Sequence, residues 1–173
     1  ADLSAFTERL EQNSGALLAL LLGRNYFTVR LHSAFYGLLL VAASAAWARR
    51  AFNRKVAAVA AALLAVSYWP VATSRMALEV EVTAAFATLG MAFLWRGLSA
   101  KPAAKHVVLP WILAAVCLSL AILGYPSGRV GWLAALCFAL YGWAFLRGAD
   151  RRRLLPLSAA VVGALIVTLP HLL

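Results

Sequence analysis

The chain has 173 residues, of which 64% are hydrophobic and 13% charged, with a mean hydropathy of +0.85. Soluble domains are about half apolar and about a quarter charged, so a water-soluble fold is excluded and lipid is the expected solvent. The formal net charge of +10 raises nucleic acid as a partner, but the cations stand in short clusters between apolar runs and no basic-aromatic surface motif accompanies them, which argues against nucleic acid.

Residues 1–22 open the chain with a half-polar stretch followed by an apolar run too short to span. Leu3, Phe6 and Leu10 recur at helical spacing, with Glu8, Arg9, Glu11 and Gln12 on other faces. This pattern predicts a helix lying on the outer membrane surface, followed by a transmembrane core over 23–173. A spanning helix needs about 20 apolar residues, and about 17 suffice. Six stretches meet or approach this: 30–48, 56–73, 76–95, 107–123, 130–146 and 154–171. The alternation of a membrane β-barrel is absent, and in lipid the backbone must then satisfy itself as helix. The predicted fold is all-α, a polytopic transmembrane helix bundle of about six spanning helices plus an N-terminal interfacial helix.

Arg49, Arg50, Arg54 and Lys55 separate the first two spans, Arg96, Lys101 and Lys105 the third and fourth, and Arg147 with Arg151, Arg152 and Arg153 the last two. These eleven of the sixteen Lys and Arg residues follow the positive-inside rule, which places all three connections in the cytoplasm and the intervening ones outside. Such a pattern suits a bacterial inner membrane. Cys117 and Cys137 sit mid-way along apolar runs as small packing residues. Trp69, Trp111, Trp132, Tyr68 and Tyr125 read as an interfacial aromatic belt. His32, His106 and His171 have no metal-spaced partners, and His32 and His171 read as interface residues. The chain begins at Ala1, without Met, and stops inside an apolar run at LPHLL, the expected form of a piece of a longer protein.

Against this topology three arginines are out of place. Arg30, Arg75 and Arg129 each stand where a helix is predicted to enter from the outside, against the positive-inside bias. A cation at a helix N-terminus is also disfavoured, by about 0.3–1 kcal/mol. Free N–H groups beside an arginine make a phosphate site, so the three arginines predict an outward-facing anion pocket. Ser74 adjoins Arg75, and Tyr125, Ser127 and Gly128 precede Arg129 in a turn that lets a ligand approach the backbone. Glu79 and Glu81 lie nearby; at about 100° per residue they point roughly 200° apart, so they cannot share one partner. One can pair with Arg75, Glu79 being four residues beyond it, and the other can face the site as a hydrogen-bond acceptor.

Three stretches in order, GRNYFTVRLHSAFYGLLLV, AVAAALLAVSYWPVATSRMALEVE and LAILGYPSGRV, carry a resemblance over 20–171. The chain resembles the polyprenyl-phosphate-sugar-dependent membrane glycosyltransferases, the C-type superfamily that includes protein O-mannosyltransferases and aminoarabinose transferases. The resemblance implies a lipid-linked sugar donor bound at the outer face and an acceptor hydroxyl on protein, lipid or glycan. That hydroxyl attacks the anomeric carbon with inversion and displaces polyprenyl phosphate. Arg75, Arg129 and Arg30, supported by Ser74, Ser127 and Tyr125, are then expected at the donor phosphate, and Glu79 or Glu81 at the sugar. The acidic general base of the family belongs to a first outer loop that precedes the matching region. It is therefore expected upstream of Ala1, and neither Asp2 nor Glu8 takes its place. The residues demand no cofactor and leave a divalent cation open. Two other classes fit the charges: a transporter or flippase for an anionic lipid or solute, and a non-catalytic membrane scaffold. The first is disfavoured because charges gather at the outer rim and no internal repeat is present.

Overall fold

A computed structural model describes residues 9–76, 80–99 and 108–124, together with positions 137 and 140. The described segments form six α-helices: α1 Arg9–Leu22, α2 Tyr26–Ala51, α3 Arg54–Val66, α4 Tyr68–Met76, α5 Val80–Ser99 and α6 Val108–Gly124. Among the described residues there is no strand, as the expected all-α class requires. The expected spans over 130–146 and 154–171 lie outside the described residues, as does most of the polar start of the chain.

Local chemistry sets the helix boundaries. Gly23, with φ of 85°, ends α1 in the left-handed region that glycine enters without strain. Asn25 then caps α2, its side chain accepting from Thr28 N at 2.8 Å. The Thr28 hydroxyl donates back to Gly23 O at 2.8 Å, closing the turn. Asn53 does the same for α3, accepting from Val56 N at 2.9 Å.

Among the described helices, α2 with 26 residues and α5 with 20 are long and apolar enough to cross a membrane. The expected span at 56–73 takes a different form. Ser67 adopts an extended conformation and divides the segment into α3, of 13 residues, and α4, of nine. At about 1.5 Å per residue α3 covers roughly 20 Å, short of a hydrocarbon core about 30 Å thick. Pro70, in the first turn of α4, is tolerated there because it lacks only an N–H that has no helical partner.

α2 shows the inverted amphipathicity expected in lipid. Its buried stripe is Thr28, His32, Ser33, Tyr36 and Ala43, largely polar, whereas Phe27, Phe35 and Leu38 are exposed. With hydrocarbon outside, apolar side chains gain nothing from burial and polar ones turn inward. α5 packs along both α2 and α6. Ser33 meets Glu81 and Tyr36 meets Phe86, an ascending order on both helices, so α2 and α5 run parallel. Thr83 meets Ala121, Gly90 meets Leu118, and Gly97 meets Trp111, so α6 is antiparallel to α5. Arg49 and Arg50 at the end of α2 and Arg96 at the end of α5 therefore share one end of the bundle, and Glu81 lies toward the other.

Small residues allow the α5–α6 approach. A Cβ added at Gly97 would lie 2.7 Å from Trp111 Cε2, and one at Gly90 would lie 2.9 Å from Leu118 Cγ. Trp111 is 3% exposed. It is a helix-packing residue, and the expectation of a belt position is corrected: the missing side chain at Gly97 makes room for the indole inside the bundle. Trp69 and Tyr68, by contrast, are exposed, as a belt requires. Cys117 is buried and free, in keeping with a packing role.

Gly97→Ala is expected to destabilise the protein by about 1–3 kcal/mol through overpacking against the Trp111 ring, seen as a lower thermal midpoint in detergent. Gly15→Ala, whose added Cβ would meet only His32 Cε1 at 4.0 Å, is expected to leave the midpoint unchanged or to raise it, since alanine is the better helix former by about 1 kcal/mol.

Candidate functional site

The polar groups of the bundle gather where the first turns of α2 meet α5. His32 and Ser33 are consecutive on α2, so about 100° separates their side chains, and each serves a different neighbour. The His32 ring hydrogen-bonds Ser14 Oγ of α1 through Nε2 at 2.8 Å and stands edge-on to Tyr36 with centroids 5.0 Å apart. Ser33 turns to α5 and donates to Glu81 Oε2 at 3.3 Å. One helix turn farther on, Tyr36 packs with Val82 and Ala85, an apolar floor beneath the polar pair.

Glu81 is the most unusual group in this arrangement. It lies in the first turn of α5 and is 2% exposed. Its second oxygen, Oε1, is buried and has no hydrogen-bond partner among the described residues. A buried polar atom left unsatisfied costs about 1–3 kcal/mol, more when charged, so such an atom calls for a ligand or a functional reason. The helix N-terminus offsets part of this cost for a carboxylate, since the dipole there favours negative charge. What the group can do chemically is accept a hydrogen bond or face a cation through Oε1.

The arginines are placed less uniformly than the sequence implies. Arg75 is exposed in the last turn of α4. It therefore stands at a helix C-terminus, which corrects the expected N-terminal position. A cation there is favoured by the dipole, so one of the two reasons for calling Arg75 anomalous is removed by the break at Ser67. Arg30 is also not terminal: it is the fifth residue of α2, exposed, with its guanidinium 4.5 Å from the Tyr26 ring centroid. That stacking is worth about 0.5–1 kcal/mol at an exposed site and gives Arg30 a structural partner. Ser74 belongs to α4, with its side chain outside the described residues. Glu79, Tyr125, Ser127 and Arg129 lie outside them as well. The acidic base expected upstream of Ala1 likewise falls outside the described residues, which start at Arg9, so the structure assigns no residue to that role. Among the described residues no cluster of three or more metal-ligating side chains occurs.

Sequence reasoning misses three polar residues of this site. Ser14 carries no motif, Ser33 falls in the first of the family stretches but receives no role there, and His32 reads as an interface residue, whereas it is 8% exposed. The available signal is spacing: Thr28, His32 and Tyr36 recur every four residues, with Ser33 adjoining, a polar stripe on an otherwise apolar helix.

Because Ser14 holds α1 to the buried His32, Ser14→Ala is expected to weaken α1 docking by about 0.5–1.5 kcal/mol. Hydrogen exchange should accelerate about 2- to 10-fold along α1 and its turn into α2, with α5 and α6 unchanged. Equal protection of α1 in both proteins would show that the bond contributes nothing to docking.

The sequence model of the dolichyl-phosphate-mannose-protein mannosyltransferase family matches residues 15–173, and so spans every described helix from α2 onward and most of α1. No curated protein and no solved structure gives a significant match. A family match over nearly the whole chain, on an all-helical apolar bundle, is sufficient for assignment: the chain belongs to the dolichyl-phosphate-mannose-protein mannosyltransferase family, the membrane glycosyltransferases of the C-type superfamily.

Proposed function

We propose that this chain supplies the donor-binding part of a glycosyltransferase that moves a sugar from a polyprenyl phosphate to an acceptor hydroxyl at the outer membrane face. The acceptor is a protein, lipid or glycan. Family membership supports a transferase using such a donor. The observation that carries the placement is Glu81: a carboxyl group 2% exposed, with one oxygen unpartnered among the described residues, toward the end of the bundle opposite Arg49, Arg50 and Arg96. An intramembrane ionisable group of this kind marks a functional site.

In this reading the basic end faces the cytoplasm of a bacterial inner membrane and the Glu81 end faces outward. Residues 1–22 form a helix at the outer surface, and 23–173 form the membrane core. Glu81, with Glu79 as the second carboxyl group, accepts hydrogen bonds from sugar hydroxyls. Arg75 and Arg129, with Arg30, Ser74, Ser127 and Tyr125 in support, face the donor phosphate. In the reaction the acceptor oxygen forms a bond to the anomeric carbon while the bond from that carbon to the phosphate oxygen breaks. The acceptor proton passes to an acidic base contributed from outside this region, and the electron pair of the broken bond stays with polyprenyl phosphate. The transition state therefore places growing negative charge on the leaving phosphate, and preorganised guanidinium groups stabilise that charge most. The position of Arg75 in α4 supports this role: the cation is exposed on a helix and close in sequence to Glu81.

Replacing Arg75 or Arg129 with Ala in the complete protein is expected to lower kcat for transfer from dolichyl-phosphate mannose by about 10²-fold, the scale seen when one charge-stabilising donor is removed. Undiminished turnover in correctly inserted variants would remove both arginines from the phosphate site. Uptake of a solute by proteoliposomes without any sugar transfer would favour transport instead.

A further inference from the structure

We infer that Ser33 is a positioning residue for glycosyl transfer: it fixes the Glu81 carboxyl group through Oε2 and thereby presents Oε1 as the acceptor for a hydroxyl of the donor's sugar ring. The inference rests on the proposed role of Glu81 at the sugar and adds a residue, a direction and a substrate group to it.

The argument begins with the two oxygens of one side chain. Ser33, 3% exposed, donates to Oε2 at 3.3 Å, while Oε1 is equally buried and has no partner among the described residues. A glutamate has three side-chain torsions, and burial alone leaves several staggered arrangements open. One bond from a neighbouring helix selects among them. Ser33 can do this because it is the eighth residue of α2, behind the Asn25 cap, and because Tyr36, one turn farther on, packs with Val82 and Ala85 of α5. The pair is thus anchored on two helices, the arrangement that holds a functional group more closely than a loop does.

The chemistry of the free oxygen names its occupant. Among the described residues Oε1 has no donor; the neighbouring cluster is Tyr36, Val82 and Ala85, and His32, which adjoins Ser33, is engaged with Ser14, so no described arginine or lysine is paired with it. A sugar hydroxyl donates one hydrogen bond, is neutral, and brings no second charge into a low-dielectric region where an ion would need a partner of its own. The polyprenyl phosphate portion of the donor offers acceptor oxygens and hydrocarbon only, so it cannot satisfy Oε1. Ser33 and Glu81 are therefore expected to discriminate sugar-bearing lipid from the bare lipid phosphate, because a site that leaves a buried polar group unpaired rejects the analogue lacking the matching hydroxyl.

The test is a double-mutant cycle in the complete protein reconstituted in liposomes, with Ser33→Ala, Glu81→Gln and the pair, plus Ser33→Thr as the conservative variant. The readouts are kcat and KM for dolichyl-phosphate mannose and the inhibition constant of dolichyl phosphate, which carries no sugar. Glu81→Gln is expected to lower kcat/KM by roughly 10- to 100-fold and Ser33→Ala by roughly 10-fold, the range for a lost hydrogen bond to a buried charged group. The double variant should match Glu81→Gln, since a positioning residue has nothing to position once its partner is altered. Ser33→Thr should restore most of the activity. The dolichyl phosphate inhibition constant should stay within about 2-fold in every variant, a change under 0.5 kcal/mol that also reports intact folding. If Glu81→Gln is without effect, the sugar-contact reading fails and the role of Ser33 with it. If Glu81→Gln is impaired but Ser33→Ala is silent, or the two losses multiply, Glu81 keeps its role and the positioning inference alone is overturned. If Ser33→Ala weakens dolichyl phosphate inhibition as much as it raises KM, Ser33 supports the fold as a whole and the inference is likewise overturned.

Discussion

A carboxyl group buried between two parallel helices is costly to leave without a hydrogen bond, and one of its oxygens is held from the facing helix. Glu81 is in that position, and much of the surrounding structure follows from it. Ser33 is on the facing side of α2, and α2 and α5 run parallel in the register that pairs 33 with 81 and 36 with 86. Two parallel neighbours require a return path, which α3 and α4 supply. α5 must also stay close to α6 on its other side, and Gly90 and Gly97 remove the side chains that would hold the helices apart. The Thr83 hydroxyl, donating to Ala121 O at 3.2 Å, closes that second contact with a polar tie close to Glu81.

The same logic explains why the faces of α2 are reversed relative to a soluble helix. Water would draw Thr28, His32 and Ser33 outward; lipid turns them toward protein, where each finds a partner on a different segment. The turn at Gly23 and Asn25 is satisfied by Thr28, α1 is held by His32, and α5 is held by Ser33. One polar stripe thus ties three segments of the chain together. In hydrocarbon these ties matter because apolar side chains alone do not distinguish protein neighbours from lipid.

For a transferase acting on a lipid-borne donor this arrangement separates two tasks. Under the proposed function, the long apolar faces lie beside the hydrocarbon tail of the donor and the polar end serves its head. The break at Ser67 bears on the second task. It ends α3 early and lets α4 carry Arg75 out at its C-terminal turn, where the dipole favours the cation instead of opposing it. Arg75 is then available to a phosphate without the local cost that an N-terminal position imposes.

Composition and periodicity by themselves determined the solvent, the helical class and the approximate place of every described membrane helix, because each of these depends on neighbours a few residues apart or on the average over a segment. The stretch 30–48 falls within α2, and the described parts of 76–95 and 107–123 fall on α5 and α6, with Met76 in α4. The ordered motifs carried the family resemblance, and the Ser33 and Glu81 segments are both within them. The break inside 56–73 has a local mark, Pro70, which in a continuous helix would clash with the Val66 carbonyl and leave it without its N–H partner, although the apolar run by itself reads as one span. The burial of Trp111, the reversal of Arg75 from helix start to helix end, and the pairing of Ser33 with Glu81 were decided by the tertiary structure alone. Ser33 and Glu81 are 48 residues apart, and whether they meet depends on the rotation and register of two packed helices. A rotation of one residue, about 100°, would turn either side chain away from its partner, and no local pattern encodes that angle.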